Sequence, residues 1–259
     1  MEMGDNWFVH APWAQLVCCT ELPEDKLVKF YAISNEILDE AKNTEDNHEG
    51  GVIPLPWTIS DDKFVKYDVR TYIMEMVENY MSTILNNGNV QNNLDDIIPG
   101  GPHTLWHTRI VDAWVVSQKE NDYIPVHTHH NQKEYDYIPV HAHDKGDNQT
   151  ESSKISAVLY LKVPEQIERN NNDIAIKGGK DGQLVFTGMG GADLFSTTIQ
   201  FSIPPEAGWM YLFPSTLNHQ VYPFQGKGER RGISFNVDVI SKEQFELIEE
   251  SVKEQNATE

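Results

Sequence analysis

The spacing of apolar residues changes at Leu105, and that change constrains the fold more than any other feature of the chain. Before it, Leu27, Phe30, Tyr31, Ile33, Ile37 and Leu38 recur at helical spacing, as do Phe64, Val65, Tyr72, Ile73, Met76, Val77, Tyr80 and Ile84. After it, short runs alternate with period two between glycine and proline turns, the pattern of β-strands. A first helix is expected over residues 23–43, with Pro23 in its first turn and Glu24 and Asp25 facing its dipole. A second, capped by Ser60-Asp61-Asp62-Lys63, is expected to run unbroken to Asn86-Asn87-Gly88. Residues 5–20 read as one entry strand, and residues 55–57 as extended.

The later segment offers strands at residues 105–118 (one or two), 155–163, 182–186, 197–203, 209–213 and 230–239. A terminal helix is expected over residues 241–254, opened by Ser241-Lys-Glu-Gln. Helices followed by seven or eight short strands predict a mainly β double-sheet jelly roll, a double-stranded β-helix flanked by helices. An immunoglobulin-like sandwich is the competing architecture. The chain then forms a single domain: a helical flank (1–104), a jelly-roll core (105–240), and a C-terminal helix and tail (241–259). Trp106, Trp114 and Trp209 read as core residues.

Forty acidic against 20 basic residues give a formal charge of −20, which repels a phosphate backbone over most of the surface. Nucleic-acid and anionic-membrane partners are therefore disfavoured, and no apolar run is long enough to span a bilayer. The adjacent pair Cys18-Cys19 suits two buried thiols in a reducing compartment, so a cytoplasmic protein is expected.

The chemistry concentrates in a repeat. Gln118-Lys-Glu-Asn-Asp-Tyr-Ile-Pro-Val-His127-Thr-His129 recurs fourteen residues on as Gln132-Lys-Glu-Tyr-Asp-Tyr-Ile-Pro-Val-His141-Ala-His143. Residues i and i+2 of a strand share a face, so each His-x-His offers two imidazoles to one metal ion. His219 is the distant third candidate, and Arg230 follows it by eleven residues. The repeat length is even, so removing either copy leaves the facing of every flanking residue unchanged and parity cannot choose between them.

In this order, Pro-Val-His-x-His, Ser156-Ala-Val-Leu-Tyr-Leu, Gly208-x-x-x-Leu-Phe213-Pro-Ser-x-Leu-x-His219 and Glu229-Arg-x-x-Ile-Ser-Phe-Asn236 resemble the motifs of the Fe(II)/2-oxoglutarate-dependent oxygenases. The likeness is to the small branch common in phage and marine bacterial genomes, and it covers residues 105–239. It implies Fe(II), 2-oxoglutarate as cosubstrate and O2, with 2-oxoglutarate decarboxylation coupled to hydroxylation of a further substrate. No catalytic residue beyond the metal centre is implied.

Carried onto this chain, the resemblance makes His141, His143 and His219 the first choice of metal ligands, because the second copy lies nearer the strand at Ile155. Asp144 is the alternative third ligand, and His127 with His129 the alternative pair. Neither copy contains the His-x-Asp of the common pattern. For the distal carboxylate of 2-oxoglutarate, Arg230 is the first choice and Arg231 the fallback, with Tyr160 and Ser234 beside them. Arg230, Gly232 and Ser234 share one strand face, whereas Ile233 and Phe235 on the other look like core.

Three other readings stand beside this one. They are a cupin-like three-histidine metalloprotein without 2-oxoglutarate, a non-catalytic jelly-roll binding or accessory protein, and a structural zinc site, since imidazole suits zinc equally. The acidic surface favours a metabolite, amino acid or peptide over a nucleic acid. Substrate identity and oligomeric state lie beyond these motifs.

Overall fold

A computed structural model describes residues 7–10, 16–41, 57–86, 106–128, 155–167, 180–188 and 200–241. Helix α1 is Glu24–Ala41 and opens with Glu24 and Asp25. The expected second helix is two: α2 (Asp61–Lys66) and α3 (Arg70–Asn86). Between them Asp68 takes φ +55°, the amide of Val69 donates to Phe64 O at 3.0 Å, and that of Asp68 to Val65 O at 3.0 Å. These bonds form a Schellman C-cap, with Phe64 and Val69 both fully buried beside it. Aspartate tolerates the left-handed conformation better than most residues. Ser60 occupies the N-cap of α2, but its hydroxyl makes no capping bond.

Eleven strands are described. The expected single entry strand is a hairpin of β1 (Trp7–His10) and β2 (Val17–Glu21). The others are β3 (Trp57–Thr58), β4 (Trp106–Gln118), β5 (Ile124–His127), β6 (Ile155–Lys162), β7 (Leu184–Thr187), β8 (Gln200–Ile203), β9 (Trp209–Pro214), β10 (His219–Val221) and β11 (Arg230–Ser241). They form a seven-stranded sheet, β1-β2-β9-β6-β11-β4-β3, and a four-stranded sheet, β5-β10-β7-β8. Every pairing is antiparallel.

From β4 to β11 the chain passes repeatedly between the sheets, which makes the fold a jelly roll and decides against the immunoglobulin order. The N-terminal segment adds β1, β2 and β3 to the large sheet as well as supplying the helices. Ser241, expected to open a terminal helix, ends β11, and residues 242–254 lie outside the described residues.

Two cores flank the large sheet. On its outer face Leu159, Ile233, Phe235, Val237 and Val115 pack with Phe30, Ile33, Phe64, Ile73 and Val77 of the helices. On its inner face Tyr160, Tyr211 and Phe213 meet Leu184, Phe186 and Val221 of the small sheet. Strand alternation divides the cysteines between them, Cys18 facing outward and Cys19 inward. Both are buried free thiols, and burial pushes Cys18 up to about 12 and Cys19 to about 11. Trp114 and Trp209 are half-buried rather than fully enclosed, and Trp209 packs against the inner core. Among the described residues no helix is long and apolar enough to cross a membrane.

Helix α1 is tied to the sheet by polar bonds as well. Tyr31 donates its hydroxyl proton to Leu161 O on β6, and Arg231 donates to Asn35 Oδ1 at 2.6 Å.

Candidate functional site

Strands β5 and β10 pair so that His127 lies directly opposite His219. Their rings stand 4.2 Å apart, centroid to centroid, inclined by 50°. Pro125 is tolerated because β5 is at the edge of its sheet, where a missing N–H breaks no ladder. Both imidazoles are oriented alike: Nδ1 of His127 lies 2.8 Å from Pro125 O, and Nδ1 of His219 lies 2.8 Å from Leu217 O. A carbonyl oxygen only accepts, so each Nδ1 carries the proton and each lone pair sits on Nε2. Metal-binding histidines are commonly fixed by such a bond at the second nitrogen.

The His219 ring is wedged between the sheets, 4.8 Å from Phe213 and 6.2 Å from Phe186. Burial holds His127 below the usual imidazole range, against the opposing pull of its bond to Pro125 O, and this favours the neutral, ligand-competent form. Two imidazoles anchored at Nδ1 fit the donor chemistry of Fe(II). His129, His141, His143 and Asp144 lie outside the described residues. Among the described residues, no three of His, Cys, Asp and Glu gather around a common point.

The arginine end is built on β11, β6 and β4. Arg230 opens β11 and is only 3% exposed. Its Nη1 donates to Gln118 Oε1, and its Nη2 donates to the Tyr160 hydroxyl at 2.8 Å. The guanidinium carbon also stands 4.6 Å from the centroid of the Tyr160 ring. Nε is buried with no hydrogen-bond partner, and among the described residues no carboxylate pairs with this cation. Burial keeps the Tyr160 phenol above its ordinary range, with Arg230 acting against it. Because Tyr160 oxygen accepts from Arg230, its own proton can be donated elsewhere.

Arg231 points to the other face. Its Nε and Nη2 each lie 2.7 Å from the Glu229 carboxylate, and Nη1 reaches α1. Burial pushes Glu229 upward, but bonds from Arg231, Ser117 and Lys162 outweigh it and hold Glu229 at about 2. Ser234 is half-buried on the Arg230 face, opposite Val158 and Trp114.

A bulge between β6 and β11 sets these facings: Arg231 pairs with Lys162 and Gly232 with Tyr160, leaving Leu161 unmatched. Gly232 is required there, since a Cβ would lie 2.6 Å from Leu159 O. Further along the same inner face Ser156 donates to Asn236 Oδ1 at 2.7 Å. Gln118 was not singled out in the sequence; its only signal there is its place at the end of an apolar strand, opening the repeat.

Residues 131–236 match the model of a family described as "Putative 2OG-Fe(II) oxygenase". The matched stretch is about two fifths of the chain, and over it the chain resembles the 2OG-Fe(II) oxygenases. Among solved structures the chain is similar to a 2OG-Fe(II) oxygenase family oxidoreductase from Burkholderia pseudomallei, at 10% identity and TM-score 0.32, covering 62% of this chain and 55% of that one. The chain thus spans about half the length of that relative. A prolyl-4-hydroxylase from Pseudomonas putida is 13% identical at TM-score 0.44, covering 85% of this chain and 86% of that one. The viral collagen prolyl hydroxylase of Paramecium Bursaria Chlorella virus-1 is 14% identical at TM-score 0.44, covering 92% and 95%. Among curated proteins, none matches.

Proposed function

We propose that the chain is an Fe(II)/2-oxoglutarate-dependent dioxygenase that couples decarboxylation of 2-oxoglutarate to hydroxylation of a small metabolite, amino acid or peptide. The observation that carries this reading is Arg230: a buried cation with no carboxylate partner among the described residues, on the sheet face toward which His219 projects. Leaving such a charge without a counter-ion is costly unless a ligand supplies one.

Tyr160 beside Arg230 and Ser156 opposite Phe213 are four residues apart on β6, about 13 Å along a strand. That span accommodates a five-carbon dicarboxylate between the arginine and the imidazoles. Arg230 and Tyr160 would hold its distal carboxylate, the planar guanidinium through paired N–H donors. His127 and His219 would hold the metal, with His129 the third candidate from the same copy of the repeat. Iron bound there supplies the redox chemistry for O2-dependent decarboxylation and hydroxylation.

The second copy of the repeat gives a competing ligand set, His141 and His143 with Asp144 in reserve, and the family match favours it by beginning at residue 131. The pairing of His127 with His219 favours the first copy. Anaerobic titration with Fe(II) and 2-oxoglutarate, followed by a succinate assay, separates them. His127→Ala and His219→Ala should each abolish the charge-transfer absorption and succinate formation, with His141→Ala retaining both. The reverse result for His127 and His141 assigns the second copy. Folded wild-type protein that forms neither signal overturns the oxygenase reading.

A further inference from the structure

We infer that Gln118 is a positioning residue that fixes the Arg230 guanidinium through a neutral acceptor, leaving its positive charge for the distal carboxylate of the cosubstrate. The inference rests on the cosubstrate reading of Arg230 and adds to it a residue that selects for ligand charge. Gln118 is 1% exposed and lies opposite Arg230 across the β4–β11 ladder.

Its amide has a determined direction. The Nε2 group faces the carbonyl oxygen of Asp122 at 3.4 Å, and a carbonyl can only accept. The amide oxygen is therefore the end turned to Arg230, where it accepts from Nη1. The turn beyond Gln118 is braced by Asp122 N donating to Lys119 O at 3.1 Å and Lys119 N donating to Asp122 Oδ2 at 2.7 Å. Tyr160 accepts from Nη2 on the other side of the guanidinium. Both contacts are with uncharged oxygens, so they set orientation without neutralising the cation.

Arg231 is held in the opposite way. That side chain has a bidentate carboxylate partner in Glu229, and its charge is already matched. A glutamate at position 118 would have the shape of glutamine and would do the same to Arg230. The same turn leads directly into β5, so the brace that aims Arg230 also sets the start of the strand carrying His127.

The test compares wild type, Gln118→Glu and Gln118→Met as Mn(II)-loaded full-length protein, by calorimetric titration with 2-oxoglutarate and with 2-oxobutyrate, which lacks the distal carboxylate. Gln118→Glu should weaken 2-oxoglutarate binding by about thirtyfold or more, the scale of matching or losing a buried charge contact. Gln118→Met, which removes both hydrogen bonds of the amide without adding a charge, should weaken it by about three- to tenfold. Neither change should move 2-oxobutyrate affinity by more than about twofold, because that ligand never meets Arg230. A purely structural role would affect both ligands alike.

Equal losses for both ligands, or a Gln118→Glu affinity for 2-oxoglutarate within about twofold of wild type, overturn this inference alone. Wild-type protein that binds no 2-oxoglutarate overturns the cosubstrate reading and this inference together. Melting curves establish that each variant is folded, and Gln118→Met carries the comparison if the glutamate variant is not.

Discussion

Removing one oxygen from Tyr160 isolates what the hydroxyl does from what the ring does. In Tyr160→Phe the ring still fills the inner core and still lies against the guanidinium, but Arg230 Nη2 loses its acceptor. A buried donor left without a partner costs about 1–3 kcal/mol, so the denaturation midpoint should fall measurably. Affinity for 2-oxoglutarate should fall with it by about tenfold, since a neutral donor to the distal carboxylate is lost as well. Unchanged affinity in a destabilised variant would remove Tyr160 from the ligand's contacts.

The strand facing that separates Arg230 from Arg231 is legible in the sequence, because alternation is a local property and Ile233 and Phe235 mark the core side. Gln118 is not legible, because periodicity tells which way a side chain points and nothing about what it bonds. The paired histidines are half legible: His219 and the His-x-His phrases stand out, but an even repeat conceals which copy lies opposite His219.

At the scale of elements, the relation between β6 and β11 decides where both Tyr160 and Arg230 point. Gly232 lets the strands approach so closely that a Cβ would meet backbone, the carbonyl oxygen of Leu159, at 2.6 Å. A flexible side chain could move aside; a central-strand carbonyl cannot do so without shifting its strand. Gly232→Ala should therefore destabilise the protein by about 1–3 kcal/mol, read from denaturant unfolding. It should also impair 2-oxoglutarate binding, because the displaced ladder carries the arginine pocket. A variant as stable as wild type would mean that the strands separate there without strain.

The helical flank teaches the converse lesson about legibility. Its apolar spacing runs unbroken across the α2–α3 junction because Phe64 and Val69, the hydrophobic pair of the Schellman cap, stay in register with the core. No glycine or proline marks the break, and Asp68 takes the left-handed position while its carboxylate lies 2.9 Å from Lys29 Nζ. Strands β1 and β2 likewise read as one strand in the sequence, since residues 11–15 carry no tight-turn dipeptide.

For the whole molecule, the duplicated histidine phrase is a question of how much chain the jelly roll needs between β5 and β6. Those strands lie in different sheets, and residues 128–154 connect them. Excising residues 128–141 joins His127 to Ala142 and leaves one Tyr-Ile-Pro-Val-His-Ala-His phrase in place of two. The excision is even in length, so no residue beyond it changes face. It roughly halves the connection, and loop-closure entropy then favours the shorter chain by about 0.6 kcal/mol. β5 keeps its residues and His127 keeps its place opposite His219. The shortened protein should therefore melt no lower than wild type and retain Fe(II)- and 2-oxoglutarate-dependent absorption, whichever copy serves in the full chain. If it folds but loses that absorption, the site draws a ligand from each copy, and the duplication is part of the metal centre rather than an addition beside it.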